Sequence, residues 1–136
     1  MKISKAEIEH FVCREVIVRD GFNKFVEYCQ ERHVKLVIVS SGLDLYIRPT
    51  LDQVGLNHLE FYSGRAQPTP NGIIVEYANS TGIPITRGFK ESHLRQIKAM
   101  GDTVIYIGDG RSDIVPASEA DFVIARALAS STRSQT

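Results

Sequence analysis

Two apolar, β-branched runs that each stop at small polar residues constrain this chain more than any other feature. Residues 34–42 read VKLVIVSSG, and residues 103–110 read TVIYIGDG. Neither run alternates cleanly between apolar and polar positions, which is typical of strands covered on both faces in a parallel sheet. Helical spacing precedes and follows both runs, so the order of elements predicts an α/β fold.

Capping, spacing and turn signals place the remaining elements. The stretch SKAE has the spacing of a helix capping box and predicts a short helix that ends near Arg14. Apolar residues recur at helical spacing from Phe22 to Cys29, and the Pro-Asn-Gly at 70–72 predicts a β-hairpin. Further helices are predicted over residues 43–54, 90–100 and 112–119, and further strands over residues 103–107 and 121–125.

Composition narrows the class of protein. The 136 residues suit one ordinary domain, and a formal net charge of zero gives no basic surplus of the kind that nucleic-acid binding needs. No apolar run approaches the roughly 18 residues of a membrane helix, and the N-terminus has no apolar signal-peptide core. Cys13 and Cys29 have no metal-ligand spacing around them, so we expect two buried thiols in a reducing cytoplasm and no nucleic-acid or membrane partner.

The motif IGDGRSD places carboxylates at the end of the second apolar run. Asp109 follows the strand directly, and Asp113 lies one helical turn further on. Hard oxygen donors of this kind suit Mg²⁺, which binds through a few carboxylates together with substrate phosphate. The alternative is a structural role, in which Asp109 caps the following helix and Asp113 stabilises its first turn.

Two further segments suit an anionic ligand. Ser40, Ser41 and Gly42 end the first apolar run ahead of a helix, where N–H groups and hydroxyls form an anion site. Taken alone, the same serines are better explained as a helix cap. Lys90 opens a later helix, where a cation opposes the helix dipole and a nearby phosphate would compensate it. The alternative for Lys90 is an ordinary surface lysine.

Three features follow one another along the chain: a strand that ends in serine, then a lysine, then a strand that ends in GDGxxD. This order resembles that of the haloacid dehalogenase-like (HAD) superfamily. The phrases VSSGLDLYI, GFKE and YIGDGRSDIVPASEADFVIAR are similar to its phosphoserine-phosphatase-type branch, and most similar to the methionine-salvage phosphatases. The similarity covers residues 16–128. It implies a Rossmann-like core with a parallel sheet and a β-hairpin flap, and a hydrolase that acts on a small phosphorylated metabolite with Mg²⁺.

The resemblance also implies a role for each motif residue. Ser40 corresponds to the serine that binds the phosphoryl group, with help from the backbone of the next two residues. Lys90 corresponds to the lysine that neutralises the phosphate and the nucleophile, so Ser40 and Lys90 are the candidate catalytic residues. Asp109 and Asp113 correspond to the Mg²⁺ ligand and its accompanying acidic residue. Phosphoryl transfer relies on positioning and on positive charge around the equatorial oxygens, which fits this set.

One part of the family pattern is absent from the sequence. HAD phosphatases use an aspartate nucleophile in a DxD motif at the end of the first strand. No two aspartates of this sequence are one residue apart. We therefore expect a core that lacks its first, nucleophile-bearing strand and is inactive alone.

Three interpretations of this absence stay open. In the first, the chain is the C-terminal part of a longer phosphatase, with residues 1–126 a partial core, residues 1–19 a remnant of the cap region and residues 127–136 a flexible tail. In the second, VRDGF is a degenerate first motif, with Val18 at the nucleophile position and Asp20 at the acid/base position, although Asp20 is better explained as a helix N-cap. In the third, the chain is a non-catalytic module that binds phosphate, metal or another protein.

A missing first strand has a structural consequence. In the HAD sheet that strand lies between the serine strand and the GDG strand, so both would carry unpaired backbone groups that invite pairing with another chain. We expect these two strands either to pair directly or to form a homodimer through their exposed edges.

The predicted hairpin also carries polar side chains. Tyr62 and Tyr77 are expected to stabilise the hairpin itself. Arg65 is a candidate for substrate contact.

Overall fold

The computed structural model of the protein describes residues 4–108 and 110–125. These residues form a mixed α/β fold with parallel strand pairs, which confirms the predicted fold class. They divide into two compact units, the first ending at Thr86 and the second beginning at Arg87. The predicted tail over residues 127–136 lies outside the described part, and the assignment of residues 1–19 to a cap remnant stays a prediction.

Three helices belong to the first unit. They are α1 (Lys5–Glu15), α2 (Phe22–Glu31) and α3 (Asp44–Gln53), and α1 packs against α3. The predicted capping box before α1 is confirmed. The Ser4 hydroxyl accepts a hydrogen bond from the Glu7 backbone N–H at 3.1 Å, and the Glu7 carboxylate accepts one from the Ser4 N–H at 3.0 Å.

The start of α2 corrects two expectations. Its N-cap is Gly21, whose φ of +89° is a left-handed conformation that glycine adopts at no steric cost. Asp20 lies in the turn before it, so the expectation that Asp20 is the N-cap is wrong. Residues 16–19 form no strand and the Ile17 side chain is exposed, so VRDGF does not end a buried first strand. The interpretation with Val18 and Asp20 in a degenerate nucleophile motif is therefore wrong.

A three-stranded sheet completes the first unit. β1 (Val37–Leu43) runs parallel to β2 (Glu60–Thr69), which turns back into the antiparallel strand β3 (Gly72–Glu76). The hairpin predicted at the Pro-Asn-Gly turn is thus confirmed. β1 begins later than the apolar run that predicted it and continues one residue further, through the small polar residues to Leu43.

The core of the first unit is small and shared by helices and strands. Val26, Leu51 and Leu56 are each 6% exposed or less. Partly buried apolar side chains pack around these three, namely Phe22, Leu36, Ile38, Ile47, Val54, Leu59 and Phe61. Cys29 is buried as expected, but Cys13 is exposed on α1, so the expectation of two buried thiols is wrong for Cys13.

The second unit repeats the alternation of helix and strand on a smaller scale. Its elements are α4 (Phe89–Ala99), β4 (Ile105–Ile107), a 3-10 turn (Arg111–Asp113), α5 (Ile114–Glu119) and β5 (Phe122–Ile124). β4 and β5 are parallel. Arg95 joins α4 to α5, because its guanidinium donates hydrogen bonds to the Glu119 carboxylate at 2.7 and 2.6 Å. No helix in either described range is both long enough and apolar enough to cross a membrane.

One face of the β4–β5 pair is apolar and open to solvent. Ile105 pairs with Phe122 and Ile107 pairs with Ile124, so these four side chains share one face of the pair. They are 53% to 63% exposed. Direct pairing of the serine strand with the GDG strand would join the two units and stays a prediction. Dimerisation through the strand edges stays a prediction.

Shortening a core valine should destabilise the protein more than shortening an exposed one. Val26 is 2% exposed, whereas Val34 is 50% exposed. We expect Val26→Ala to lower the free energy of unfolding by about 1–3 kcal/mol, through lost burial and the cavity left behind, and Val34→Ala by less than about 0.5 kcal/mol. Urea unfolding followed by circular dichroism measures both variants. Equal losses would contradict this assignment of the core.

Candidate functional site

The serine segment of the first unit is a bulge within β1. Val39 pairs with Tyr62 and Leu43 pairs with Gly64, so β1 advances four residues while β2 advances two. The intervening residues 40–42 therefore leave the regular ladder, as in a β-bulge. The N-cap of α3 is Leu43, and it makes no side-chain capping hydrogen bond. The alternative explanation of Ser40 and Ser41 as a helix cap is thus wrong.

Two hydrogen bonds fix the shape of this bulge. The Ser40 hydroxyl oxygen accepts the Gly42 backbone N–H at 2.9 Å. Tyr77 donates its phenolic hydrogen to the Ser41 carbonyl oxygen at 2.7 Å. Since a hydroxyl is both donor and acceptor, the Ser40 proton remains able to donate to an anionic oxygen. Glycine at position 42 is required by close approach, because a Cβ there would lie 2.1 Å from the Tyr46 phenolic oxygen.

In the second unit, Lys90 and Asp113 form a largely buried ion pair. Lys90 Nζ lies 2.6 Å from Asp113 Oδ1, and both side chains are 13% exposed. The ammonium also donates to the Ser112 hydroxyl at 2.9 Å. The structure thus brings together two predicted site residues that are 23 positions apart in sequence. Lys90 is not an ordinary surface lysine, so that alternative is wrong.

Asp113 accepts two more hydrogen bonds from its own strand and turn. Tyr106 Oη donates to Asp113 Oδ1 at 2.5 Å, and the Gly110 backbone N–H donates to Oδ2 at 2.9 Å. Burial acts to raise the pKa of Asp113, but the hydrogen bonds from Lys90, Tyr106 and Gly110 outweigh it and leave the pKa below its ordinary value. Burial, followed by the bond to Asp113, raises the pKa of Tyr106. At neutral pH the carboxylate is therefore ionised and the phenol is neutral.

Gly108, directly after β4, has a packing role. A Cβ at Gly108 would lie 2.6 Å from Asp113 Cγ. The absence of a side chain at Gly108 thus makes room for the Asp113 carboxylate.

The described residues do not form a metal site by themselves. Asp109, the predicted direct Mg²⁺ ligand, lies outside the described part of the chain. A carboxylate has about four lone-pair directions, and three of those of Asp113 are already used by hydrogen bonds. No group of three or more His, Cys, Asp or Glu side chains within the described ranges is arranged to hold a metal ion. Metal binding by Asp109 and Asp113 therefore stays a prediction.

Sequence reasoning missed Tyr77, Tyr106 and Ser112 as partners of the predicted site residues. Tyr106 reads as one more apolar strand residue, and Tyr77 reads as a hairpin residue. A phenol within a strand that ends at an acidic motif is a signal that could have been used, because a buried Tyr hydroxyl needs a hydrogen-bond partner.

Ser40, Ser41 and Gly42 lie in the first unit, whereas Lys90 and Asp113 lie in the second. Their joint action on one phosphate stays a prediction.

Comparison with known proteins finds a matching family model and relatives that share one name. The family model for haloacid dehalogenase-like hydrolase matches residues 2–117. The chain is 30% identical to a 2-hydroxy-3-keto-5-methylthiopentenyl-1-phosphate phosphatase of Brevibacillus brevis, over 91% of this chain and 57% of the relative. It is 32% identical to the protein of the same name in Geobacillus kaustophilus, over 90% of this chain and 56% of the relative. The chain thus spans somewhat more than half the length of these curated relatives.

A bifunctional enzyme and a solved structure extend the comparison. The chain is 30% identical to the bifunctional enzyme MtnB/MtnX of Bacillus licheniformis, over 90% of this chain and 29% of the relative. Its fold is similar to that of cytosolic 5'-nucleotidase IIIB bound to cytidine, with a TM-score of 0.57 and 18% identity, over 92% of this chain and 45% of that one. The likeness to the nucleotidase structure concerns the fold alone. Because the family match covers most of the sequence, the chain belongs to the haloacid dehalogenase-like hydrolase family.

Proposed function

We propose that this chain is the C-terminal part of a phosphatase that hydrolyses a small phosphomonoester with Mg²⁺, and that the chain is inactive alone. The observation that carries the proposal is the largely buried Lys90–Asp113 ion pair at 2.6 Å. An ammonium fixed by a carboxylate is an oriented cation of the kind that stabilises the charge of a transferring phosphoryl group. Two of the curated relatives are named as phosphatases of the same phosphorylated metabolite, which supports a small phosphomonoester as the substrate.

The proposed roles follow from the contacts of each residue. Lys90 offers its ammonium to phosphate oxygens while Asp113, Tyr106 and Ser112 hold the lysine in place. Ser40 offers its hydroxyl proton, and the Ser41 and Gly42 backbone adds to phosphate binding. Mg²⁺, when bound through Asp109 and Asp113, would supply further positive charge to the phosphoryl oxygens.

The nucleophile is the part that this sequence does not supply. Aspartyl-phosphate chemistry requires a carboxylate oxygen that attacks phosphorus and a second group that handles the proton. No DxD pair is present, and among the described residues no carboxylate other than Asp113 contacts Lys90. The proposed enzyme therefore needs an aspartate from outside this sequence. The two free thiols are consistent with a reducing cytoplasmic location.

The second candidate is a non-catalytic module that binds phosphate or another protein. The exposed apolar face made by Ile105, Ile107, Phe122 and Ile124 favours it, because exposed apolar patches mark interaction surfaces. A homodimer through the strand edges belongs to this candidate. The same face would be covered by further polypeptide in the first candidate, so the patch alone does not separate the two.

Characterising the native polypeptide should distinguish the partial phosphatase from the non-catalytic module. If the first candidate is right, its intact mass and N-terminal sequence in the source cell reveal a longer chain with a DxD motif upstream. That longer chain should hydrolyse p-nitrophenyl phosphate with Mg²⁺, whereas this chain alone should not. A native chain that starts at Met1 would favour the binding module. Turnover by this chain alone that disappears in Asp109→Asn would contradict its inactivity.

Phosphate binding should depend on Ser40. We expect inorganic phosphate to shift the Gly42 amide resonance in a titration of the isotope-labelled chain. Ser40→Ala should weaken that binding about threefold to tenfold, because a hydroxyl donor to an anion is lost. Ser118→Ala is the matched control, since Ser118 donates only to the Val115 carbonyl of its own helix at 2.6 Å. An unchanged affinity in Ser40→Ala would remove Ser40 from the phosphate site.

Removing the charge of Asp113 should destabilise the protein in a pH-dependent way. Its pKa is lowered in the folded protein, so its contribution is fully present above the ordinary pKa of Asp and is lost as the pH falls through the lower folded value. We expect Asp113→Asn to lower the free energy of unfolding by about 2 kcal/mol at pH 7, and by progressively less as the pH falls below about 4. Asp102→Asn, at an exposed position, should change stability little at any pH. Urea unfolding from pH 7 to pH 3 measures all three proteins, and a pH-independent difference for Asp113→Asn would contradict this account.

A further inference from the structure

The first turn of α3 places a phenol against the serine bulge. Tyr46 is in the first turn of α3, and side chains on a helix lean back toward its N-terminus. A Cβ at Gly42 would lie 2.1 Å from the Tyr46 phenolic oxygen and 2.8 Å from its Cζ. The tip of the ring, and with it the hydroxyl, therefore lies against the Gly42 backbone.

The Tyr46 hydroxyl makes no hydrogen bond to any of the residues that the structure describes. A side chain does contact Tyr46, but at its backbone, where the Thr50 hydroxyl donates to the Tyr46 carbonyl oxygen at 2.6 Å. Because Tyr46 is 39% exposed, a solute can reach its ring. Three other phenols already donate to a carboxylate or a carbonyl, namely Tyr62, Tyr77 and Tyr106.

One of the bulge's own donors is already in use. The Gly42 N–H donates to Ser40 Oγ at 2.9 Å, within the bulge itself. A phosphoryl group presents three peripheral oxygens, and hydrogen bonds to such an anion are stronger than those between neutral groups. An uncommitted phenol beside the bulge is therefore a donor that this ligand would use.

We propose that the Tyr46 hydroxyl donates a hydrogen bond to an oxygen of the phosphoryl group bound at the bulge. The inference rests on the proposed phosphate site at Ser40 and adds to it a second side chain that contacts the anion. The Ser40 proton comes from β1 and the Tyr46 proton from α3, so two different elements hold the phosphoryl group. Gly42 permits this arrangement, because a side chain there would displace the phenol.

The alternative is a phenol whose hydroxyl meets only water. Tyr28 supplies a matched control within the same unit, because its hydroxyl also makes no hydrogen bond to the residues described. It lies on α2, is 52% exposed and carries the Arg32 guanidinium 3.8 Å from the centre of its ring. Its nearest cation and its exposure would favour an anion as much as those of Tyr46, but it is not part of the bulge.

Tyrosine-to-phenylalanine variants test the hydroxyl without removing the ring. Inorganic phosphate is titrated into the isotope-labelled chain at constant ionic strength, with the Gly42 amide resonance as the readout of binding. We expect Tyr46→Phe to weaken phosphate binding about threefold to tenfold, because one hydrogen bond to an anion is lost. Tyr28→Phe should bind phosphate as the unaltered chain does. Circular dichroism of each variant checks that it is folded.

A label on the ring gives a readout that a purely structural role of the hydroxyl would not move. In a chain isotope-labelled at the tyrosine Cζ atoms, phosphate should shift the Tyr46 resonance and leave the Tyr28 resonance in place. Each resonance is assigned by its absence from the corresponding phenylalanine variant. The Tyr46 shift should follow the same saturation curve as the Gly42 amide.

The outcomes separate this inference from the proposed function. Weaker binding in Tyr46→Phe alone, together with a phosphate-dependent shift of the Tyr46 Cζ resonance, supports the inference. Unchanged affinity in Tyr46→Phe, or a Tyr46 resonance that phosphate leaves in place, overturns it, and a Gly42 shift then leaves the phosphate site standing. Equal losses in Tyr46→Phe and Tyr28→Phe also overturn it. If phosphate does not shift Gly42 in the unaltered chain, the phosphate site fails and this inference fails with it.

Discussion

The ion pair between Lys90 and Asp113 joins α4 to the turn after β4 in the second unit. Moving two charges out of water costs several kcal/mol per ion unless hydrogen bonds compensate it. Here the compensation comes from Ser112 on the lysine and from Tyr106 and the Gly110 N–H on the carboxylate. These groups come from β4 and from the turn after it. These contacts hold the Asp113 carboxylate against a lysine on α4.

In the serine bulge, hydrogen bonds likewise compensate polar groups, but here the groups belong to the backbone and carry no charge. A bulge takes residues out of the ladder, and buried peptide groups without partners are costly. The Ser40 hydroxyl accepts the Gly42 N–H, and the Tyr77 hydroxyl donates to the Ser41 carbonyl oxygen. The Ser40 hydroxyl thus holds the bulge, and in the proposed function it would also meet a phosphate. Its substitution will act on both, which is why a binding measurement needs a folding control.

Local signals predicted the elements, but tertiary contacts decided the site. The capping box before α1 and the Pro-Asn-Gly turn are local patterns with a direct physical cause, and both are confirmed. Small polar residues at a strand end are ambiguous, because they suit a cap, a turn or a bulge, and only pairing with β2 makes VSSG a bulge. Similarly, DG before an apolar helix suits either residue as N-cap, and the positive φ of Gly21 decides it. The burial of Lys90 could not be derived from local sequence, since its partner is 23 positions away.

Charge balance limits what the described site can do for a phosphate. Lys90 and Asp113 together carry no net charge, so the pair orients a cation without adding positive potential at long range. A phosphate monoester dianion near this pair would need further positive charge to be bound well. Backbone dipoles and neutral hydroxyl groups supply only partial charges. In the proposed function, a divalent cation on Asp109 would provide the missing charge, and an aspartate from outside this sequence would provide the missing reacting atom. The described residues of this chain would then supply the orienting groups of a phosphoryl-transfer site.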